Sequence, residues 1–319
     1  MITIVFASYN GARNLPRMLD ALHSLEDPGE RWNIIAVDNA STDNTRAILE
    51  TYSRTLPITI LSAPERGKNK SLNKAIPYLY SDLVILTDDD VIPKPDWLVQ
   101  FRNTATHLCN YDIFGGQIDL RWPFTPPDYI LNEVDLGPTF ASTDHINNGP
   151  CRPGDVYGGN MCVRTLLFTR YGFAFNEDIG PAAGNYVMGS ETDLVTRAAA
   201  EGYHCWHTKE PVVEHIVKPE QLDPEWLLHR AYRLWRSQGR QQRTTGARNN
   251  TPTIYGIPRW RIRWAIEQYI KSIYFKGIGN TQRYFCHKQN FYISLGLMYE
   301  LSPSSTKRFF EKRPLGSVR

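Results

Sequence analysis

Apolar runs and helical patterns alternate along the first 120 residues. The strand-like runs are Thr3 to Ala7, Asn33 to Val37, Ile58 to Leu61 and Leu83 to Thr87. Between them, residues 14–25, 44–52 and 71–79 carry apolar side chains at helical spacing. Alternating β and α units of this length predict an α/β fold, a mostly parallel central sheet with helices on both faces. Ligands bind such sheets beyond the carboxyl ends of the strands, so the residues after each strand are the candidate functional ones.

The rest of the chain predicts shorter and less regular elements. Residues 120–155 are rich in Pro, Asp and Asn, which predicts a loop that acts as a lid. The further elements are a strand at 156–163, a helix at 191–201 ended by Gly202, a strand pair at 203–206 and 212–217, and a basic amphipathic helix at 225–240. Residues 241–258 are typical of a linker, and residues 259–319 predict a basic, aromatic, helical C-terminal appendage.

Composition and charge narrow the class of protein. Hydrophobic residues make up 41% of the 319, which excludes a disordered chain, and no stretch is long and apolar enough to span a membrane. The N-terminus lacks the features of a signal peptide, and the five cysteines form no CxxC pair, so a reducing, cytoplasmic location is expected. Residues 1–225 contain 18 Lys and Arg and 30 Asp and Glu, a net charge of −12, whereas residues 226–319 contain 18 and 3, a net charge of +15. An acidic body that could hold a metal and a basic tail that would seek phosphate are therefore predicted.

Three carboxylates, Asp88, Asp89 and Asp90, directly follow the strand that ends at Thr87. Their mutual repulsion would be costly without a cation, and ligands that are all oxygens favour Mg²⁺ or Mn²⁺. The alternative is an acidic N-cap or an acidic turn before a helix at residues 94–101.

Two other loops at the same predicted edge carry polar chemistry. Asp38 ends the second strand and could accept hydrogen bonds from a base or ribose, or cap a helix, a role that Ser41 or Asp43 would fill anyway. Residues 65–70 place three cations and a glycine before a helix, which indicates a phosphate site; a solvated charged loop is the alternative.

An ordered set of seven motifs resembles the family-2 inverting glycosyltransferases over roughly residues 1–240. The motifs are FASYN (6–10), VDNASTDNT (37–45), RGKNKSLNKAI (66–76), LTDDDVIPKPDWL (86–98), GGNMCVR (158–164), GSETDLVTRAAAEG (189–202) and VVEH (212–215). The resemblance implies the GT-A fold, a nucleotide-sugar donor and a divalent metal, Mn²⁺ or Mg²⁺. It also implies a nucleotide-binding half at 1–120 and an acceptor half at 121–240.

Matching positions assigns roles to individual residues. The implied set is Ala7, Tyr9 and Asp38 at the nucleobase, Arg66 and Lys70 near the base and phosphates, Asp88 at the ribose with Asp89 beside it, Asp90 on the metal, and Gly158, Gly159 and Asn160 at the sugar and acceptor subsites. The family resemblance also implies that His215 is a metal ligand, with His207 a weaker candidate. Arg230, Arg233 and Trp235 resemble residues that close over the diphosphate, although a solvated basic face explains them nearly as well.

The position of the catalytic base departs from the family pattern. The family usually has Glu-Asp at the helix start, and here the pair is Ser190-Glu191, followed by Asp193. Glutamate has a similar basicity, so Glu191 is expected to deprotonate the acceptor hydroxyl. Asp193 is the alternative base, and its structural role would be to stabilise the first turn of the helix.

These observations predict a metal-dependent inverting glycosyltransferase that builds a bacterial-type polysaccharide or glycolipid, with a UDP-sugar as default donor and a glycan or lipid-linked acceptor. A sugar-nucleotide pyrophosphorylase is one alternative, although FASYNGARN lacks its glycine-rich, Arg- and Lys-bearing signature. A catalytically inactive nucleotide-binding membrane adaptor is the other, because of the Ser190-Glu191 departure.

The basic tail suits an anionic membrane surface, which would make the protein peripheral at the inner face, or packing on the body or a second subunit. Nucleic acid is not expected as a partner.

Overall fold

The computed structural model describes residues 1–182, 186–244, 251–303 and 307. Their contacts divide the chain into two compact units. The first consists of Met1–Arg121 and Phe140–Ile216, and the second of Trp122–Thr139 and the chain from Val217 onward. This division by packing does not coincide with the boundary expected at residue 240, which concerns the catalytic domain and stays a prediction.

The first unit is built on a mixed sheet of nine strands, counted over the described residues. The strands are β1 (Ile2–Ser8), β2 (Trp32–Asn39), β3 (Ile58–Ala63), β4 (Leu83–Thr87), β5 (Val91–Pro93), β6 (Ile113–Arg121), β7 (Gly149–Pro150), β8 (Asn160–Arg164) and β9 (Cys205–Ile216). Their order is β3-β2-β1-β4-β8-β6-β9-β5, and β7 pairs with β9. The strands β3, β2, β1 and β4 run parallel, as predicted. Beyond them β8 is antiparallel to β4 and β6, and β5 and β7 are antiparallel to β9.

Helices lie between the strands and after them. They are α1 (Leu15–His23), α2 (Thr45–Tyr52), α3 (Lys68–Ala75), α4 (Trp97–His107), α5 (Asp128–Glu133), α6 (Leu136–Phe140), α7 (Leu166–Thr169), α8 (Ser190–Ala200), α9 (Pro224–Thr244), α10 (Arg259–Gly277) and α11 (Thr281–Leu301). Short 3-10 turns occupy residues 76–78, 153–155 and 219–222.

Alternation along the central strands separates two hydrophobic cores. Ile4 and Phe6 of β1 pack in one core with α1 and α4, whereas Val5 packs in the other with α3 and α8. Successive side chains of a strand point to opposite faces, so each face of the sheet has its own layer of helices. The predicted α/β class with helices on both faces is confirmed.

Two segments differ from the prediction. The strand pair expected at 203–206 and 212–217 is one continuous strand, β9. The polar residues 208–210 interrupt the apolar pattern without making a turn. They are accommodated by a shift of the β6–β9 register between Gly115 and Gln117. The segment 120–155, expected to be a loop, contains α5, α6 and β7. The sequence pattern also gave no strand at β6, which lies inside the sheet.

The second unit is mainly helical. Helices α9 and α11 pack closely: a Cβ added at Gly296 would lie 2.4 Å from the carbonyl oxygen of Tyr232. Between these helices a buried ion pair joins Arg236 Nη2 to Glu300 Oε1 at 2.6 Å. The expected linker at 241–258 begins in the end of α9 and ends in a hairpin of β10 (Thr253–Ile254) and β11 (Ile257–Pro258), and residues 245–250 lie outside the described residues. Over the described part of the chain, no helix combines the length and hydrophobicity needed to cross a bilayer.

Candidate active site

The turns after β1 and β2 are joined by hydrogen bonds at the edge of the sheet. The backbone N–H of Asn10 donates to Ser41 Oγ at 3.0 Å, and the N–H of Thr42 donates back to Asn10 Oδ1 at 2.8 Å. The N–H of Gly11 donates to Thr45 Oγ1 at 2.8 Å. Side chains thus satisfy the backbone donors of both turns, which fixes the two loops relative to each other.

Tyr9 and Arg66, both predicted to bind the nucleobase region, lie together. The Arg66 guanidinium carbon is 3.9 Å from the centre of the Tyr9 ring, a cation–π contact. Asp38 is buried, and its Oδ1 accepts the backbone N–H three residues on at 3.1 Å. Asn39 Oδ1 accepts the N–H of Gly67 at 3.0 Å and so ties the loop that carries Arg66 to the end of β2.

The cations at the start of α3 face in different directions. Lys70 is 42% exposed, and its Nζ lies 2.5 Å from Oε2 of the exposed Glu65. Lys68, which the sequence analysis did not single out, is 17% exposed, and its Nζ lies 2.6 Å from Asp88 Oδ1 and 3.1 Å from Glu191 Oε1. Burial lowers the pKa of Lys68, but the two carboxylates outweigh it and hold the pKa above its ordinary value. Lys68 is therefore a fixed positive charge between two predicted site residues.

The three consecutive aspartates diverge towards three elements. Asp88 pairs with Lys68 of α3, Asp89 Oδ2 accepts a hydrogen bond from Ser8 Oγ at the end of β1, and Asp90 Oδ1 lies 3.7 Å from His215 Nε2 of β9. Helix α4 begins only at Trp97, with residue 96 at its N-cap, so none of the three caps that helix. The alternative role as an N-cap is therefore wrong, whereas residues 89 and 90 do form a turn, the one that joins β4 to β5.

His215 is oriented by the backbone. Strands β5 and β9 place His215 opposite Val91, and the N–H of Ile216 donates to the carbonyl of Asp90 at 2.9 Å. His215 Nδ1 donates to the carbonyl oxygen of Phe140 at 2.7 Å, which leaves Nε2 as the nitrogen that faces Asp90. Burial lowers the pKa of His215, but the Asp90 carboxylate offsets this, and the pKa is raised above its usual value.

The Asp90–His215 pair supplies two donor atoms of the kinds that bind divalent cations. Among the described residues, no group of three or more His, Cys, Asp or Glu side chains has the arrangement of a complete metal site. Asp90 and His215 nevertheless offer a carboxylate oxygen and an imidazole nitrogen whose other ring nitrogen is held by a carbonyl, the usual support of a metal-binding histidine. The pair fits a cation that takes its remaining ligands from a bound phosphate group.

The two candidate bases on α8 have different surroundings. Helix α8 follows Gly189, whose φ of 98° is a left-handed conformation that suits glycine. The Glu191 side chain lies against Gly158, where an added Cβ would be 2.2 Å from Oε1. Asp193 Oδ2 instead accepts from Arg197 Nε at 2.9 Å, one turn along the same helix. Glu191 is thus the candidate base that pairs with Lys68, which in turn pairs with Asp88.

In the loop predicted to form the sugar and acceptor subsites, residues 158–160, Gly159 and Asn160 have different surroundings. Gly159 lies beside the aspartates, since its carbonyl accepts from Thr87 Oγ1 at 2.9 Å and an added Cβ would be 3.7 Å from Asp88 Oδ2. The Asn160 side chain is fully buried, accepts from Trp97 Nε1 at 2.8 Å and donates to two carbonyl oxygens at 2.8 Å. Because its polar atoms are engaged by protein groups, Asn160 supports the frame, and the structure does not favour the expected contact with sugar.

The remaining predicted residues are His207, Ala7, Arg230 and Arg233. His207 is fully buried in the sheet between β6 and β7, where burial lowers its pKa to about 4. Ala7 is a partly buried residue near the end of β1. Arg230 and Arg233 lie on α9 in the second unit, and their role at a diphosphate stays a prediction.

A comparison with protein families identifies the domain. Residues 3–126, which include the first four loops of this site, match the family model Glycosyl transferase family 2. Over these residues the chain is similar to the family-2 glycosyltransferases. Glycosyltransferase AglE of Haloferax volcanii is 23% identical over 221 residues, which cover 68% of this chain and 67% of that protein. The protein is therefore a glycosyltransferase, as the motifs predicted.

Solved structures share the fold of this glycosyltransferase. TarS of S. aureus in complex with UDP-GlcNAc aligns with a TM-score of 0.53 at 13% identity, over 91% of each chain. The mannosyltransferase PcManGT from Pyrobaculum calidifontis, in complex with GDP-Man and Mn²⁺, aligns with a TM-score of 0.56 at 18% identity, over 98% of this chain and 81% of that one. At these identities the likeness concerns the fold, and it confirms the GT-A class.

Proposed function

We propose that this glycosyltransferase is metal-dependent and inverting, and that it transfers a sugar from a nucleoside-diphosphate donor to a hydroxyl group of a glycan or lipid-linked acceptor. A UDP-sugar is the default donor, although the structural neighbours include complexes with both UDP-GlcNAc and GDP-Man. The observation that carries the proposal is the cluster of Lys68, Asp88 and Glu191 beside the Asp90–His215 pair. It combines a positioned base with a cation site at one edge of the sheet.

The donor would be held by the loops after β1, β2, β3 and β4. The Tyr9 ring and the Arg66 plane offer stacking surfaces for a nucleobase, and Asp38 offers a buried carboxylate as hydrogen-bond acceptor. Asp88 would accept a hydrogen bond from a ribose hydroxyl. These loops are held together by their own hydrogen bonds, so little ordering is needed when the donor binds.

Asp90 and His215 would hold Mn²⁺ or Mg²⁺. When bound, such an ion neutralises the charge that develops on a departing diphosphate. The protein's part is to keep the His215 ring fixed through its bond to the Phe140 carbonyl, so that Nε2 faces the cation.

Glu191 would act as the general base. It takes the proton of the acceptor hydroxyl as that oxygen bonds to the anomeric carbon, while the bond from this carbon to the diphosphate oxygen breaks. A single displacement inverts the configuration and needs no covalent nucleophile. The Lys68 ammonium, 3.1 Å from Glu191 Oε1, favours the ionised carboxylate that the step requires.

A cytoplasmic location, with the protein peripheral at the inner face of a membrane, agrees with this reaction if the acceptor is lipid-linked. The inactive adaptor is the second candidate, and the Ser190-Glu191 departure is its only support. The sugar-nucleotide pyrophosphorylase is not favoured, since the fold and family are those of glycosyltransferases.

Glu191→Gln tests the proposal, because the amide oxygen can still accept from Lys68 while the basic oxygen is lost. We expect kcat to fall by about 10²–10⁴-fold with the fold retained, whereas Asp193→Asn should retain most of the activity. Nucleotide binding is followed by thermal shift with UDP and GDP, each with and without Mn²⁺. Retained nucleotide binding with lost turnover supports the enzyme. Unchanged turnover in Glu191→Gln, or no nucleotide-dependent shift in the wild type, would contradict the assigned roles.

A further inference from the structure

Helix α10 has one face packed on α11. Ala265 is buried with Met298 of α11, and Ile262 packs against the same small core. Beside it, Gln268 Oε1 and His287 Nδ1 lie 2.8 Å apart in a hydrogen bond, and both Gln268 and Ser272 are buried. These contacts fix which side of α10 faces outward.

The outward side of α10 is apolar. Four residues, which we call the outer stripe, are each more than half exposed: Ile266 (55%), Ile270 (59%), Ile273 (55%) and Tyr274 (61%). Their spacing of four, seven and eight residues from the first places them along one side of the helix. Ile278, just after the helix, is 57% exposed as well. Contiguous exposed apolar surface of this kind marks a binding face rather than the scattered exposure normal for a soluble protein.

Cations accompany the outer stripe. Arg259, Arg263, Lys271 and Lys276 are all exposed on α10, and the one acidic residue of this helix, Glu267, is paired with Lys271 at 2.5 Å. Arg263 precedes Ile266 by three residues and Ile270 by seven, so it lies on the side of the stripe. The stripe is thus apolar along its length and bordered by positive charge, and it belongs to the region of the chain with a net charge of +15.

We propose that the outer stripe of α10 binds the surface of an anionic lipid bilayer. The helix is too polar to span a membrane, and an apolar stripe with flanking cations suits a helix that lies in the plane of the interface. A second copy of this chain is the less suitable occupant, because a symmetric contact through the stripe would bring two sets of like charges together. The inference goes beyond the proposed reaction, since it requires neither a donor nor catalysis.

Co-sedimentation of the full chain with vesicles tests this surface. One set of vesicles is pure phosphatidylcholine, and the other contains a substantial fraction of phosphatidylglycerol. The variant Ile266→Ser/Ile270→Ser/Ile273→Ser removes three members of the stripe. The matched control, Tyr80→Ser/Leu131→Ser/Leu166→Ser, removes three large apolar side chains outside the stripe, which are 82%, 47% and 50% exposed.

We expect the wild type and the control to bind the anionic vesicles, and high salt to weaken this binding. The stripe variant should bind at least about tenfold more weakly, with its thermal unfolding unchanged. Arg263→Glu/Lys276→Glu, which leaves the stripe intact, should lose the preference for anionic over neutral vesicles. The proposal would be overturned if the wild-type protein bound neither type of vesicle. It would also be overturned if light scattering showed a concentration-dependent dimer that the stripe variant does not form. Glycosyltransfer to a soluble acceptor is a separate readout, so failure of either proposal is distinguishable from failure of the other.

Discussion

Replacing Lys68 by methionine is the sharpest test of how the site controls its charges. Methionine is of similar length but has no charge, so Asp88 and Glu191 would face each other without the ammonium that now lies between them. Their side chains are only 32% and 19% exposed, so water can compensate only in part.

The size of the effect follows from the geometry. Asp88 Oδ1 and Glu191 Oε1 contact the same nitrogen at 2.6 and 3.1 Å. The two oxygens are therefore less than about 6 Å apart, and two unit charges at that separation repel by about 3 kcal/mol at an effective dielectric constant of about 20. That energy is an upper value, because partial exposure of both carboxylates to water reduces it.

Loss of the cation removes the positive charge beside Glu191, and the proposed base must be ionised to act. We therefore expect the acidic limb of the kcat/KM profile to move to higher pH in Lys68→Met, because the ionised base is no longer stabilised by a cation. The control is Lys70→Met, because Lys70 pairs with the exposed Glu65 outside this cluster. The acidic limb of the control should stay in place. A folded Lys68→Met protein whose acidic limb coincides with that of the wild type would refute the reasoning.

Two further predictions concern packing and pH. Gly158→Ala places a Cβ 2.2 Å from Glu191 Oε1, so the carboxylate must move. We expect kcat to fall by about tenfold or more in a steady-state assay. The control is Gly154→Ala, where an added Cβ meets nothing within 4 Å, and its kcat should be unchanged. Burial lowers the pKa of His207 from 6.5 to about 4 in the folded protein. As the pH falls, His207 is therefore protonated in the unfolded chain before it is protonated in the folded protein, and the free energy of unfolding decreases between about pH 6.5 and about pH 4. The loss of stability reaches at most about 3 kcal/mol. Chemical denaturation at several pH values should show this loss in the wild type and a much smaller one in His207→Gln. An equal pH dependence in both proteins would exclude His207 as the cause.

Much of the fold follows from the periodicity of apolar residues. The four parallel strands were predictable because each is a short buried run followed by a helical pattern, and β4 has the predicted bounds Leu83–Thr87. Strand β9 was not predictable as one strand, because its central polar residues are accommodated by a shift in its pairing with β6. That pairing cannot be read from the sequence of β9 alone. Pairings between segments far apart in sequence leave no local signal.

The candidate site shows the same limit. Tyr9 with Arg66, and Asp90 with His215, were assigned to neighbouring roles from motif order, and they do lie together in the structure. Lys68 was missed because three cations in one loop look alike. A signal for it existed, since Lys68 precedes the buried Leu72 by four residues and the buried Ala75 by seven, which places it on the inner side of α3.

Asn160 has a consequence for anyone who would redesign this enzyme. Its buried amide joins the side chain of Trp97 to the carbonyls of Gln117 and Pro211, and its backbone continues from the two glycines beside Glu191 and Asp88. A change there would propagate to both carboxylates at once, without touching any substrate. Variation of donor preference is best sought at the surface formed by Tyr9 and Arg66, where side chains can be exchanged independently, while the Asn160 junction is the part of the scaffold to keep constant.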